Sequence, residues 1–177
     1  MTKLAEPMAS APSDSAPHDG ARPLRNVALA ANGAKATAIS TGRYLGDARR
    51  PTFAIDGDRT TGWRSHWCMP AWLQVEFDRE YDIEQVAVGW GTLTHTFSIA
   101  LSPDGIAWTT VVPPRVAAQK SHYVDGQNIG GEMAYELFPI AKTAARFLRI
   151  DITSTTAPHS HIFQAGVNAL EAYAAAE

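Results

Sequence analysis

Apolar and polar residues alternate in short stretches along most of this chain. In "WLQVEF" (72–77), Leu73, Val75 and Phe77 fall on one side of an extended segment, and Gln74 and Glu76 on the other. "RFLRIDI" (146–152) repeats the pattern, with Leu148, Ile150 and Ile152 set against Arg149 and Asp151. A period of two is what a strand with one buried face requires. "IEQVAVGW" (83–90), set off from 72–77 by a polar connector, reads as a further strand. So do "TFSIAL" (96–101), "AWTTVV" (107–112), "MAYELF" (133–138) and "NALEAYA" (168–174). "SPDG" (102–105) is a turn, because proline fixes φ and glycine accepts a positive φ; it joins 96–101 to 107–112 as a hairpin. No long stretch has the 3.6-residue period, and "PIAKTAARF" (139–147) holds at most a short helical turn. Short strands punctuated by glycine and proline predict an all-β, mostly antiparallel sandwich or jelly roll.

Composition narrows the class. The 177 residues are enough for one domain with a real core and too few for two ordinary ones. Residues 1–24 are rich in Ala, Pro, Ser and Asp without hydrophobic periodicity, so they read as a disordered tail ahead of a folded domain at 25–177. A net charge of −3 and no stripe of Lys or Arg argue against nucleic acid as a partner. No apolar run approaches the roughly 18 residues of a membrane span. One cysteine, Cys68, excludes an intramolecular disulfide. The N-terminal stretch has no continuous apolar segment of the kind a signal peptide needs.

The chemistry is concentrated in "FAIDGDRTTGWRSHW" (53–67). Asp56 and Asp58 flank Gly57, and Thr61 follows three positions later, so one tight turn supplies several hard oxygen ligands of the kind calcium takes. The same residues also suit an ordinary surface turn, and spacing alone leaves both readings open. A catalytic reading is weak. Ser65 and His66 are neighbours in sequence, which does not bring their side chains together. Two carboxylates pinned in one turn are too close for glycoside hydrolysis, which sets them about 5–9.5 Å apart across a sugar. His159 and His161 in "HSH" form a metal-ligand pair with no third partner nearby in sequence, or else line a loop.

Five segments together resemble the discoidin, or coagulation-factor five/eight type C, domains, a superfamily that includes the family 32 carbohydrate-binding modules. These are "A-x-D-G-D-x-x-T-x-W" at 54–63, "WLQVEF", "SPDGIAWTTV", "ARFLRI" and "NALEAY", in the family's order over residues 26–174. The resemblance implies a galactose-binding-domain-like jelly-roll β-sandwich. It also implies a structural calcium held by Asp56, Asp58, Thr61 and the Phe53 carbonyl from the loop, with Glu171 and the Leu170 carbonyl from the last strand.

The resemblance further implies a ligand face at one end of the sandwich. Trp67 matches the family's sugar-stacking tryptophan. Arg64 stands where sugar-binding relatives carry histidine, with His66 two residues on, which opens the ligand to sugars other than plain galactose, acidic ones included. Arg43, Tyr44 and Asp47 in "STGRYLGDARR" and His95 are further contacts. Trp90 reads either as a stacking residue or, in phase with Val86 and Val88, as core; Trp63 reads as core. The function implied is non-catalytic, lectin-like carbohydrate binding, with self-association as a route to avidity. The alternative is a cell-surface adhesion domain for a protein or phospholipid partner. A glycan ligand favours an extracellular or cell-surface location, at odds with the absence of a signal peptide in this chain.

Overall fold

In a computed structural model, the structure describes residues 22–41, 49–66, 69–91, 94–118, 123–124, 127–128, 134–156 and 164–176. The strands are β1 (Leu24–Asn26), β2 (Lys35–Ala38), β3 (Trp63–Arg64), β4 (Ala71–Trp90), β5 (Thr94–Ser102), β6 (Thr109–Val116), β7 (Tyr123–Val124), β8 (Gln127–Asn128), β9 (Tyr135–Thr156) and β10 (Gly166–Ala175). All their pairings are antiparallel. Short 3-10 turns at Ala30–Asn32 and Pro51–Ala54 are the helical elements among the described residues. No helix among them is long and apolar enough to cross a membrane.

Two strands are far longer than the sequence pattern suggests. Segments 72–77 and 83–90 are one strand, β4, and segments 133–138 and 146–152 are joined in β9. "PIAKTAARF", expected to hold at most a helical turn, is extended throughout. The two strands pair from Ala71↔Ile152 to Gly89↔Tyr135, with register slips between Glu76 and Tyr81 and between Ile83 and Gln85. Each slip bends the ladder, and a bent strand can pass from one layer of a sandwich to the other. The first half of β4 and the second half of β9 lie with β2, β5 and β6. Their other halves lie with β10, which carries β1 and β3 along its length. The polar residues 78–80 that read as a connector are exposed because they lie at this corner.

The alternation locates the core. Leu73, Val75 and Phe77 of β4 and Leu148, Ile150 and Ile152 of β9 are fully buried, packed with Phe97, Ile99 and Leu101 of β5 and with Leu170 of β10. On the outer face, Arg149 lies over the rings of Trp72 and Trp108 (5.1 and 5.8 Å) and bonds Asp151 (2.7 Å). The "SPDG" turn forms as expected: Gly105 has φ +76, and the Ser102 hydroxyl and Asp104 carboxylate accept backbone N–H groups of residues 104–107.

Truncating a core residue leaves a cavity that packed neighbours only partly fill, so Leu148→Ala should lower stability by about 2–5 kcal/mol. Ile106, 85 % exposed, should tolerate alanine within about 0.5 kcal/mol. Urea denaturation of both variants checks the contrast.

Candidate functional site

The Pro51–Ala54 turn feeds the chain into the acidic loop, where Gly57 takes φ +87 and lets the backbone reverse. Asp56 accepts the Asp58 N–H at 2.8 Å, and Asp58 accepts both the N–H (2.8 Å) and the hydroxyl (2.6 Å) of Thr60. Those bonds hold the Asp58 carboxyl below its usual range. The Thr61 hydroxyl oxygen lies 2.7 Å from the Asp56 carboxylate, 2.8 Å from the Asp58 carbonyl and 3.1 Å from the Phe53 carbonyl. A hydroxyl carries one proton, which cannot serve three acceptors at once. Phe53, Asp56, Asp58 and Thr61 therefore gather more oxygens than they have protons to share, a donor set that suits a hard cation.

The strand half of the expected metal site does not join them. Among the described residues no three or more His, Cys, Asp or Glu side chains are drawn together as a metal cluster. Glu171 is engaged elsewhere: it accepts hydrogen bonds from the Tyr135 (2.5 Å) and Tyr173 (2.6 Å) hydroxyls and pairs with Arg59 at 3.3 Å. The Arg59 guanidinium also lies 3.7 Å from the centre of the Tyr135 ring. Burial, and donation to Glu171, raise the Tyr135 hydroxyl far above the ordinary tyrosine range. Leu170 is buried opposite Val88 in the ladder. Arg59 belongs to the acidic loop, so the tie between that loop and the last strand, expected from an ion, is made here by a side-chain cation. Asn168 adds a second tie by donating to the Arg59 carbonyl at 2.9 Å. Gly62 makes the approach close enough, since a Cβ there would sit 2.8 Å from backbone atoms of Val167 and Asn168.

Beyond Gly62 the chain enters β3 and the expected ligand end. Trp63 is core, fully buried with its indole N–H donated to the Ser40 carbonyl at 2.9 Å. Arg64, opposite Gly166 in the ladder, donates to the Trp63 carbonyl and to the Asn168 side-chain oxygen, both at 2.8 Å. Its side chain passes between two glycines: a Cβ on Gly91 would lie 2.3 Å from its terminal nitrogen, and one on Gly166 2.7 Å from its Cδ. Ser65 is buried, with its hydroxyl donated to the His66 carbonyl and accepting the Ala165 N–H. His66 is half-buried, and its backbone N–H reaches the Ser40 hydroxyl at 3.0 Å. Ser40, Arg49, Gly91, His95 and residues 164–166 thus gather about the segment 64–66.

Two expected ligand contacts lie behind this surface instead of on it. Trp90 is fully buried, its indole donated to Glu136 at 2.6 Å and its ring packed on Phe97 and His95. His95 is 1 % exposed and accepts the Gly166 N–H through Nε2, which leaves the proton on Nδ1, buried without a partner. Both are drawn inward because they continue the inward-facing phase of β4 and β5. Burial first, and the charge of Arg64 second, pull the His95 pKa down to about 4. Arg43, Tyr44, Asp47, Trp67, His159 and His161 lie outside the described residues.

Three residues that sequence reasoning did not select matter here. Arg59 and Asn168 tie the loop to β10, and a lone Asn in the apolar final strand was a readable signal. Arg49 is half-buried, its Nε without a partner. Burial, and secondarily the charge of Arg49, lower the Arg64 pKa to about 10.

The neutral His95 gives a pH signature. Its folded pKa of about 4 lies below the ordinary 6.5, so between these values the unfolded chain takes a proton that the folded chain refuses. Stability should be complete above pH 6.5 and decline as pH falls toward 4, by up to about 3 kcal/mol. Urea titrations across that range should show the decline, and His95→Gln should flatten it.

The F5/8 type C domain model matches residues 35–164. The fold is similar to that of CpGH89CBM32-5 from Clostridium perfringens, solved in complex with GalNAc-β-1,3-galactose (17 % identity, TM-score 0.62, 85 % of this chain and 100 % of that one). It is also similar to chitosan-binding module 1 of a chitosanase/glucanase from Paenibacillus sp. IK-5 (23 %, 0.63, 84 % and 98 %). A third likeness is the family 32 module of C. perfringens NanJ in complex with galactose (14 %, 0.62, 85 % and 98 %). These likenesses fix the architecture as the β-sandwich of such modules. No curated protein sequence matches the chain. With most of its strands inside the matched segment, the chain belongs to the F5/8 type C, or discoidin, domain family.

Proposed function

We propose that this domain is a non-catalytic carbohydrate-binding module that takes a galactose-type or related sugar at the end of the sandwich where Arg64 and His66 lie. The observation that carries the reading is the convergence of four chain segments on a rigidly cradled Arg64, in a fold whose structural neighbours are described with GalNAc-galactose, galactose and chitosan as ligands. Trp67 would stack on the apolar face of a pyranose, with Arg64, His66, Arg43, Tyr44 and Asp47 orienting its hydroxyls. Trp90 and His95 support this surface from behind. The four described tryptophans each have a packing partner, which leaves Trp67 as the one assigned to stacking. The same geometry supports a non-catalytic role: the Ser65 hydroxyl is committed to backbone groups, and Asp56 and Asp58 share one turn instead of flanking a cleft. Self-association would raise the avidity of a weak single site.

The acidic loop would hold calcium through the Phe53 carbonyl, Asp56, Asp58 and Thr61, with Glu171 and the Leu170 carbonyl from the last strand as the remaining ligands, Glu171 then leaving Arg59. A bound cation would neutralise the surplus of oxygens around Thr61 and stiffen the segment leading into β3.

A glycan array should show binding to galactose-type sugars, and Trp67→Ala should abolish it while leaving the melting temperature unchanged. A blank array, with vesicles or a protein partner bound instead, would give the adhesion reading the stronger claim. Millimolar calcium should raise the melting temperature and EDTA lower it, because a ligand of the native state stabilises it; a melting curve indifferent to both would sink the calcium assignment.

A further inference from the structure

Glu171 is held from two sides in unequal ways. The Tyr135 and Tyr173 hydroxyls both donate to its Oε2, at 2.5 and 2.6 Å, and fix the carboxylate on β10. Arg59 reaches across from the acidic loop to both oxygens, 3.4 Å from Oε1 and 3.3 Å from Oε2. Those contacts are long for charge-assisted hydrogen bonds, which close to about 2.7–2.9 Å. The Arg59 side chain is also 50 % exposed, against 9 % for Glu171. The carboxylate is thus the fixed member of the pair and the guanidinium the removable one.

Two further features let the Arg59 side chain leave without freeing the loop. Its carbonyl accepts the Asn168 side-chain amide at 2.9 Å, a tie to β10 that does not involve the guanidinium. The guanidinium itself lies 3.7 Å from the centre of the Tyr135 ring, a resting place that does not need the carboxylate. Two residues on, the Thr61 hydroxyl has three acceptors around one proton, at Phe53, Asp56 and Asp58. One stretch of chain therefore presents a cation to Glu171 and, beside it, a surplus of oxygens suited to another cation. Resting on the calcium reading above, we propose that Arg59 is a built-in competitor for that site. Its guanidinium occupies Glu171 when calcium is scarce and yields the carboxylate when calcium is abundant. The loop stays tied to the last strand in both states, and the arginine sets how much calcium the exchange requires.

The test is calorimetric titration of the whole chain with calcium chloride in chelator-treated buffer. Arg59→Gln should tighten calcium binding about fivefold, the upper end for an ion pair with one member exposed. Without calcium the same variant should melt below the unchanged chain, because the side-chain tie is lost, and saturating calcium should close most of that gap. An arginine that only shapes the loop predicts otherwise: its loss would weaken calcium binding along with stability. Glu171→Gln keeps the side-chain shape and an acceptor for the tyrosines. In that background calcium should bind more weakly, and Arg59→Gln should no longer tighten it. Unchanged or weaker calcium binding by Arg59→Gln alone would overturn the competition and leave the calcium reading standing. A gain that persists beside Glu171→Gln would show the Arg59 charge acting through space, and would overturn Glu171 as the shared partner. No uptake of calcium by the unchanged chain or by Arg59→Gln would overturn both readings.

Discussion

The antiparallel ladder between β4 and β9 is the constraint on which the rest of the molecule depends. It runs from Ala71↔Ile152 to Gly89↔Tyr135, and every other strand of the main sheet pairs with one of these two or with a strand that does. Because the ladder slips register twice, one pair of strands serves both layers, and the two layers cannot shift independently. The end of β4 delivers Trp90 and Gly91 to the same place where β10 begins with Gly166. Arg64 is held between those glycines, so its position is set by where the long ladder ends. The candidate ligand end is thus anchored to the core.

The last strand is where this anchoring is completed. β10 is buried along nearly its whole length, yet it contains Asn168 and Glu171. Buried polar groups are costly unless bonded, and both are bonded to the segment 59–64. Two polar residues in an apolar strand therefore act as specific attachment points. They fix the register of the acidic loop against β10 in a way that apolar packing alone would not. Glu171 makes this attachment with an arginine and two tyrosines.

Much of the fold was legible in the alternation. Leu73, Val75, Phe77, Leu148, Ile150 and Ile152 face inward as a period of two requires. The continuity of β4 and β9 was not legible, because the polar residues 78–80 and the exposed Ala141 and Lys142 lie where the strands turn the corner and expose both faces. Periodicity reports burial, and at a corner burial lapses while the strand continues. The acidic loop was legible as a local unit, since its contacts lie within a few residues. The partners of Glu171 were not, because Arg59 and Tyr135 are 112 and 36 positions away and nothing in the local pattern names them. Trp90 and His95 were ambiguous for a related reason: an aromatic at the end of a strand suits both the core and a rim. Arg49 sits in "DARR", where no local feature distinguishes it from Arg50.

The distribution of charge differs between the outer faces of the sheets and the candidate ligand end. Along the sheets, Arg115, Arg146 and Arg149 and Lys142 each lie beside a carboxylate, as Arg59 does in the loop. At the candidate ligand end Arg64 meets neutral oxygens instead. Arg64 and Arg49 have no acid among the described residues, and their effect reaches as far as His95, whose protonation Arg64 opposes. Arg25 on β1 is in a like position, bonding only the Tyr81 hydroxyl at 3.3 Å with its Nε unpartnered. Charge left unbalanced in a half-buried site is a departure from local consistency, and such departures concentrate where binding supplies the missing partner.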